Sequence, residues 1–450
     1  GDHRDLHSFP TRALPILSDD WRKETKDISY LLDTIIEHIP APKIEEGSLQ
    51  IQISSIDYSS YVGRIAVGRI FRGKLQAGQQ VAVMKKDGTS EVTSVKELYT
   101  FEGLGKEKIK TPVEAGEICA VLLQSAFEIG DTITSVDNQQ ALPRIKVDEP
   151  TMSMLFLINN SPFYGKEGQY VTSRHINDRL LKEIQKNLAL KVENTESPDR
   201  WLVYGRGILH LSILIETMRR EGYEFQVGQP NVIYKQDNDQ TLEPIEILTV
   251  IVPEEFSSKV IDICQKRRGD LLKMEPKNDR ILLDFSIPSR GLIGISNAVL
   301  TATEGEATIS HRYWDYEPFR GPIERRRNGV LIAMETGKAL AYSLDKLQDR
   351  GRFFIDPNDE VYEGQIVGEH VRNSDLVVNV TKGKKQSNVR SSSADDKIIL
   401  TPAYKMSLEQ AMEYISADEL VEITPKSIRL RKILLDENDR KREMKRLENE

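Results

Sequence analysis

Between residues 147 and 320 one arrangement of apolar residues occurs twice, and it limits the fold more than any other feature of the chain. Ser153-Met154-Leu155-Phe156-Leu157 reads as a strand, and Ile176, Leu180, Leu181, Ile184 and Leu188 then recur at helical spacing. Trp201-Leu202-Val203 supplies another strand, and Leu209, Leu211, Leu214 and Ile215 mark a second helix. The scheme returns with a strand from Ile245 to Val252, a helix from Glu254 to Arg268, a strand from Ile281 to Phe285 and a helix from Leu292 to Thr303. Two successive β-α-β-β-α-β units fit this order. Each places its helices on one face of an antiparallel sheet, so the expectation is a pair of sandwiches in a multidomain α+β protein.

The flanks read differently. Residues 48–142 hold short alternations broken by glycine, such as Leu49-Gln50-Ile51-Gln52-Ile53 and Gln80-Val81-Ala82-Val83-Met84, with Asp87-Gly88 as a hairpin turn. That spacing predicts a small all-β barrel. Ahead of it, Ser18-Asp19-Asp20 has the composition of a helix cap, and Ile28, Leu31, Leu32, Ile35 and Ile36 keep helical spacing until Pro40-Ala41-Pro42. Residues 1–17 show neither period. Phe9 to Ile16 reads either as a translated sequencing-adapter oligonucleotide or as a disordered natural start, and stays outside the fold argument.

Past residue 320 the pattern is mixed. It predicts a turn at Asn328-Gly329, a strand from Val330 to Met334, a short helix from Ala339 to Leu347 and further β segments to Val380. A strand at Ile398-Ile399-Leu400, a helix from Ser407 to Ile415 and a strand near Ile428-Arg429-Leu430 follow. Asp436 to Glu450 is almost wholly charged and reads as a frayed or solvated helix.

Composition narrows the function. A chain of 450 residues calls for roughly three to four domains. No apolar run approaches the ~18 residues that cross a bilayer, so no membrane span is expected. Cys119 and Cys264 are too few for a disulfide scaffold or a multi-cysteine metal site, and they suit a reducing cytoplasm. A net charge of −8 excludes a globally basic nucleic-acid binder, although a local basic patch can still bind through its own field.

Catalytic signatures are missing. Each Gly-Lys pair, at Gly73, Gly105, Gly165, Gly337 and Gly383, lacks the following Ser or Thr that a phosphate-cradling loop needs. No G-x-S-x-G or H-E-x-x-H occurs, and the seven histidines are scattered. His210 reads as a packing residue, and both cysteines as inert packing groups. No catalytic residue and no metal site is predicted.

The sharpest anomaly is the stretch from Asn379 to Ser393. It carries Lys382, Lys384, Lys385 and Arg390, with Asn388 and several serines, and meets no acid until Asp395-Asp396. Flexible backbone, amides, hydroxyls and cations are what contact with a nucleic-acid backbone uses, and a solvated surface loop has the same composition. Arg267-Arg268 ends a helix, where a cation complements the dipole or reaches a phosphate. Arg325-Arg326-Arg327 suits a phosphate contact or a domain interface equally. Sparse aromatics argue against single-strand binding by stacking and favour a folded RNA backbone.

Motifs add a resemblance. Tyr61-Val62-Gly63-Arg64-Ile65-Ala66-Val67-Gly68-Arg69 through Gly78 resembles the second domain of translational GTPases. Gly205-Arg206-Gly207-Ile208-Leu209-His210-Leu211 looks like the third domain of elongation factor G, and Pro288-Ser289-Arg290-Gly291-Leu292-Ile293-Gly294 like its fifth. LepA is similar over the same three domains. Arg326-Arg327-Asn328-Gly329-Val330, Leu347-Gln348-Asp349-Arg350-Gly351-Arg352 and Ile423-Thr424-Pro425-Lys426-Ser427 resemble the C-terminal domain of the TypA/BipA family of translational GTPases. The match runs from about Ser18 nearly to the end, and departs from the family at Gln386-Ser387 and Ser391-Ser392-Ser393.

The resemblance implies six segments: 1–17, adapter-like or disordered; 18–47, the end of a G domain and a linker; 48–142, the barrel; 147–237 and 241–320, ferredoxin-like sandwiches; 321–450, a mixed β-rich C-terminal domain. It implies a ribosome-associated factor linked to large-subunit assembly and to translation under cold or other stress. Large-subunit rRNA and A-site tRNA would be contacted through Lys382, Lys384, Lys385, Asn388 and Arg390, at the factor site between both subunits. Arg267, Arg268, Arg290, Arg325, Arg326 and Arg327 are RNA or interface candidates. GTP and Mg²⁺ belong to the family's G domain, which is expected upstream or absent from a paralogue; none is expected in this chain. A cytoplasmic monomer that hydrolyses nothing by itself is the resulting expectation.

Overall fold

The computed structural model describes residues 28–448, except positions 42, 43, 60, 86, 104, 144, 146–148, 188, 239, 278, 324, 325, 327 and 384–398. The chain divides into two compact units, one up to position 146 and one from position 147. Each is treated by itself below.

In the first unit a helix, Ser29–His38, precedes a closed barrel. The proposed cap at Ser18-Asp19-Asp20 lies outside the described residues; the helix begins after Ile28 and buries none of its side chains. The barrel ring runs Gln80–Met84, Thr132–Thr134, Gln50–Ser59, Gly63–Arg72, Ile118–Leu123 and Ser90–Glu102, and closes where the last pairs with the first. Alternate residues turn inward, so Ile51, Ile53, Ile70, Val81, Val83, Leu98 and Ile133 are buried. Asp87-Gly88 makes the expected hairpin: Gly88 takes φ +80°, and the Thr89 amide donates to Asp87 Oδ1 at 2.9 Å. Gly68 is glycine for a different reason. A Cβ there would lie 2.3 Å from the Gln52 carbonyl oxygen of the neighbouring strand.

The second unit contains both sandwiches. The first sheet runs Lys191–Asn194, Arg200–Gly205, Met152–Ile158, Phe225–Val227, the order 2-3-1-4 of a ferredoxin-like unit. Helices Ser173–Lys186 and Ile208–Arg220 accompany it, the former capped by Thr172 and the latter burying Leu211, Leu214, Ile215 and Met218. The second sheet repeats that order with Asp270–Lys277, Arg280–Pro288, Gln240–Pro253 and Thr308–Pro318. Its helix expected from Glu254 opens with a 3₁₀ turn, Glu254–Phe256, before Ser257–Lys266. The helix expected from Leu292 to Thr303 is broken into Ser289–Leu292 and Ile295–Ala302, because Gly294 between them is left-handed at φ +72°.

The C-terminal part is joined to the first sandwich by hydrogen bonds. Phe225–Val227 pairs antiparallel with Glu419–Ile423, Phe225 opposite Ile423. The sheet continues through Ile428–Lys432, Gln365–His370, Val330–Ala333 and Leu376–Val378, reaching eleven strands with its branches. One hydrophobic core follows the sheet. Met154, Phe156, Ile215 and Phe225 from the sandwich share it with Ile332, Met412, Val421 and Ile423.

Several expectations for this part need correction. Ile399 and Leu400 lie in no strand, and residue 398 is outside the described residues. Strand Glu419–Ile423 went unread because Glu419 and Glu422 disguise it, yet both are fully buried. Helix Leu408–Tyr414 forms behind a capping box of Ser407 and Gln410. The charged tail is helical over Glu437–Glu448.

Candidate nucleic-acid interface

Lys384, Lys385, Asn388 and Arg390 lie outside the described residues; the chain on either side of them is held by hydrogen bonds. On the incoming side Val380 is buried, and its carbonyl accepts from the Leu340 amide at 2.9 Å. Asn379 Nδ2 donates to Glu335 Oε1 at 3.0 Å, and the Thr381 hydroxyl bonds the same oxygen. Those two bonds hold the Glu335 carboxyl below its ordinary range, so it stays ionised. The next link is Ser343 Oγ, which donates to the Lys382 carbonyl at 2.5 Å.

The outgoing side is held by the same short helix, Ala341–Leu347, and its 3₁₀ extension Gln348–Arg350. Gln348 Nε2 donates to the Ile399 carbonyl at 3.3 Å, and Gln348 Oε1 accepts from the Thr401 amide at 3.4 Å. Leu400 packs against the core formed by Leu331, Leu344, Phe353 and Val367. One helix therefore anchors both stems. Ser343 and Gln348 were missed by reading the sequence, since a serine and a glutamine in a short amphipathic helix carry no mark of that task.

Charge around these stems is predominantly unpaired. Lys382, Arg350 and Arg352 are exposed, and no carboxylate lies within ion-pair distance of them among the described residues. The Arg352 guanidinium stands 4.0 Å over the Tyr404 ring. Such cations have no ion pair to break before they meet a phosphate.

The other arginines are committed internally. Arg267 Nη1 donates to the carbonyls of Gly291, at 3.0 Å, and Ile293, at 2.5 Å, fastening its helix end to the broken-helix corner. Arg268, left-handed at φ +63°, gives Nε to the Pro322 carbonyl at 3.2 Å. Arg290 is buried and forms a two-pronged pair with the fully buried Glu243, which also accepts from the Arg320 amide at 2.8 Å. Arg326 grips Glu419 through two bonds of 2.8 Å. Arg267, Arg268, Arg290 and Arg326 thus each make contacts within the chain; Arg325 and Arg327 lie outside the described residues.

Two further arrangements bear on chemistry. Asp375, Asp418 and Glu419 converge closely enough for a cation, but Lys432 Nζ already sits among them at 2.7, 2.7 and 2.9 Å. Among the Gly-Lys pairs, Gly73, Gly105 and Gly337 stand in or beside strands, and the Gly165 amide donates to Glu224 at 2.8 Å. None of these four pairs leads directly into a helix, the arrangement by which a phosphate-cradling loop presents its amides. His210 is half-buried beside Asn187, 2.6 Å from its side-chain amide. Burial, with Arg206 nearby, holds the imidazole below its ordinary pKa.

Comparison with known proteins follows the fold. Residues 63–134 match the family model of elongation factor Tu domain 2, residues 240–327 that of the elongation factor G C-terminus, and residues 328–437 that of the TypA/BipA C-terminal domain. A barrel, two ferredoxin-like units and a β-rich C-terminal domain define the architecture of a translation-factor class. Among individual relatives, the large ribosomal subunit assembly factor BipA of Bacillus subtilis (strain 168) is 46% identical over 430 residues, 95% of this chain and 70% of that protein. The proteins of that name from Synechocystis sp. and Salmonella typhimurium are each 47% identical, covering 91% and 94% of this chain and 69% and 70% of their own lengths. The chain belongs to the TypA/BipA family.

Proposed function

We propose that this chain is the ribosome-contacting part of a large-subunit assembly factor and acts on RNA. The observation that carries the reading is the identity of 46% over 95% of the chain to a protein named for large ribosomal subunit assembly. Support for RNA as the contacted surface comes from the loop stems: a single helix pins both, and exposed Lys382, Arg350 and Arg352 surround them. Lys382, Lys384, Lys385, Asn388 and Arg390 make charge-assisted hydrogen bonds to phosphates of large-subunit rRNA and of the tRNA in the A site. The barrel and the eleven-stranded unit supply the bulk that docks between the subunits, in the cytoplasm and as a monomer. GTP hydrolysis is the task of the family's G domain.

The test is co-sedimentation of the protein with large subunits and their assembly precursors across a salt series. Neutralising Lys382, Lys384, Lys385 and Arg390 together is expected to weaken binding and to flatten its salt dependence by about one unit of log–log slope per lost contact. Binding that ignores the four changes removes the loop from the function. Binding that survives ribonuclease treatment identifies a protein partner instead.

A further inference from the structure

Beside the outgoing stem lies a pocket of about 590 Å³ within the C-terminal domain. Its walls include Leu344, Phe353, Pro357 and Leu400, and Val371 stands at the pocket with 63% of its surface exposed. Four residues with polar side chains line it as well: Gln348, Arg352, Asp356 and Thr401. A concave apolar space with a few polar groups at its margin is the usual form of a small-ligand site, and this volume falls in the usual ~300–1,000 Å³ range.

Charge indicates what enters it. The chain as a whole carries −8, yet Arg350, Arg352 and Lys382 near this pocket have no acid partner among the described residues. Arg352 lines the pocket, Arg350 adjoins the lining residue Gly351, and Lys382 is tied through its carbonyl to Ser343, the neighbour of Leu344. The lining carboxylate, Asp356, is already paired with Lys405 at 2.9 Å. A polyanion with a flat apolar group suits these surroundings better than an acidic or a purely apolar partner. Gln348 is loosely committed: its bonds to the stem, at 3.3 and 3.4 Å, are well beyond the ~2.9 Å of a strong amide bond. It also donates to Asp345 Oδ1 at 3.2 Å, and it can give up one of these bonds to the edge of a base while the packing of Leu400 keeps the stem in place.

We propose that this pocket receives the base of an unpaired RNA nucleotide, whose flanking phosphates rest on Arg350, Arg352 and Lys382. The proposal rests on the RNA reading above and adds base capture to backbone contact. Proteins that recognise single-stranded loops and bulges commonly take splayed bases in this way.

The test uses the whole chain and a fluorescent oligouridine of about eight nucleotides, beside an abasic strand carrying the same number of phosphates. The expected result is an affinity for oligouridine at least about fivefold above that for the abasic strand. Thr401→Trp, which fills the pocket with an indole from an exposed position, is expected to abolish that preference while leaving the salt slope intact. A 4-thiouridine strand is expected to photo-crosslink to the peptides bearing Phe353 or Leu400, a readout independent of any variant's folding. Equal affinity for both strands, or crosslinks confined to other peptides, overturns base capture and leaves phosphate contact standing. Failure of both strands to bind at low salt overturns the RNA reading and this proposal together.

Discussion

Asn159 donates a hydrogen bond of 3.2 Å to Glu422 across 263 positions of sequence, and both side chains are buried. Asn159 belongs to the first sandwich and Glu422 to the C-terminal sheet, with the second sandwich between them in the chain. Glu422 also accepts from Ser161 Oγ at 3.1 Å, Tyr362 OH at 2.5 Å and Arg429 Nη1 at 3.1 Å. Arg429 in turn reaches Glu167 at 2.5 Å. A buried carboxylate is tolerated only when so fully satisfied, and here its satisfaction welds two parts of the chain.

Glu422→Ala is therefore expected to destabilise this unit by about 1–3 kcal/mol, because it leaves the buried Tyr362 hydroxyl without its acceptor and Arg429 with Glu167 as its one remaining carboxylate. Chemical denaturation monitored by fluorescence measures it. A loss below about 1 kcal/mol contradicts the network's role.

Residues 328–437 made alone are expected to aggregate or to lack a cooperative unfolding transition. They hold only part of the core that includes Phe156, Ile215 and Phe225, and they expose the edge of Glu419–Ile423. Residues 147–450 are expected to unfold cooperatively. Calorimetry of the two fragments tells them apart.

Much of this fold was readable and its central joint was not. Apolar periodicity revealed the strands around Phe156 and Leu283 and the helix bearing Leu211 and Leu214, since each presents one regular face to one core. Glu419-Leu420-Val421-Glu422-Ile423 hid its strand behind two acids whose partners lie on the following strand, Arg429 and Lys432, and far back in the sequence, Arg326 and Tyr362. The interface was legible as a cluster of cations. Which cations are available was not, because Arg290 and Arg326 differ from Lys382 only through distant carboxylates that folding brings to them.

Stability of the second sandwich is expected to fall as pH rises above 6.5. His311 Nδ1 lies 2.6 Å from Glu246 Oε2, and that hydrogen bond raises the imidazole above its ordinary 6.5. A raised folded-state value contributes stability that is complete below 6.5 and disappears as pH passes the folded-state value. His311→Asn is expected to flatten this dependence in thermal melts between weakly acidic and weakly alkaline buffers. An unchanged slope would contradict it.

Cys119 and Cys264 are buried, one in each compact unit, and burial pushes both thiols up to about 12. Neither is expected to react with a thiol reagent in the native protein at neutral pH, and both are expected to react in denaturant. Cys119→Ser and Cys264→Ser separately turn the remaining thiol into a reporter of one unit's opening. Rapid native labelling of either would disprove its placement.

The pairing of Phe225–Val227 with Glu419–Ile423 also sets a timetable for the nascent polypeptide. While a ribosome is making this chain, the margin of the early sandwich must wait, unzipped and sticky, through the translation of roughly two hundred further codons. A chaperone that shields that margin would be protecting the molecule during its own birth.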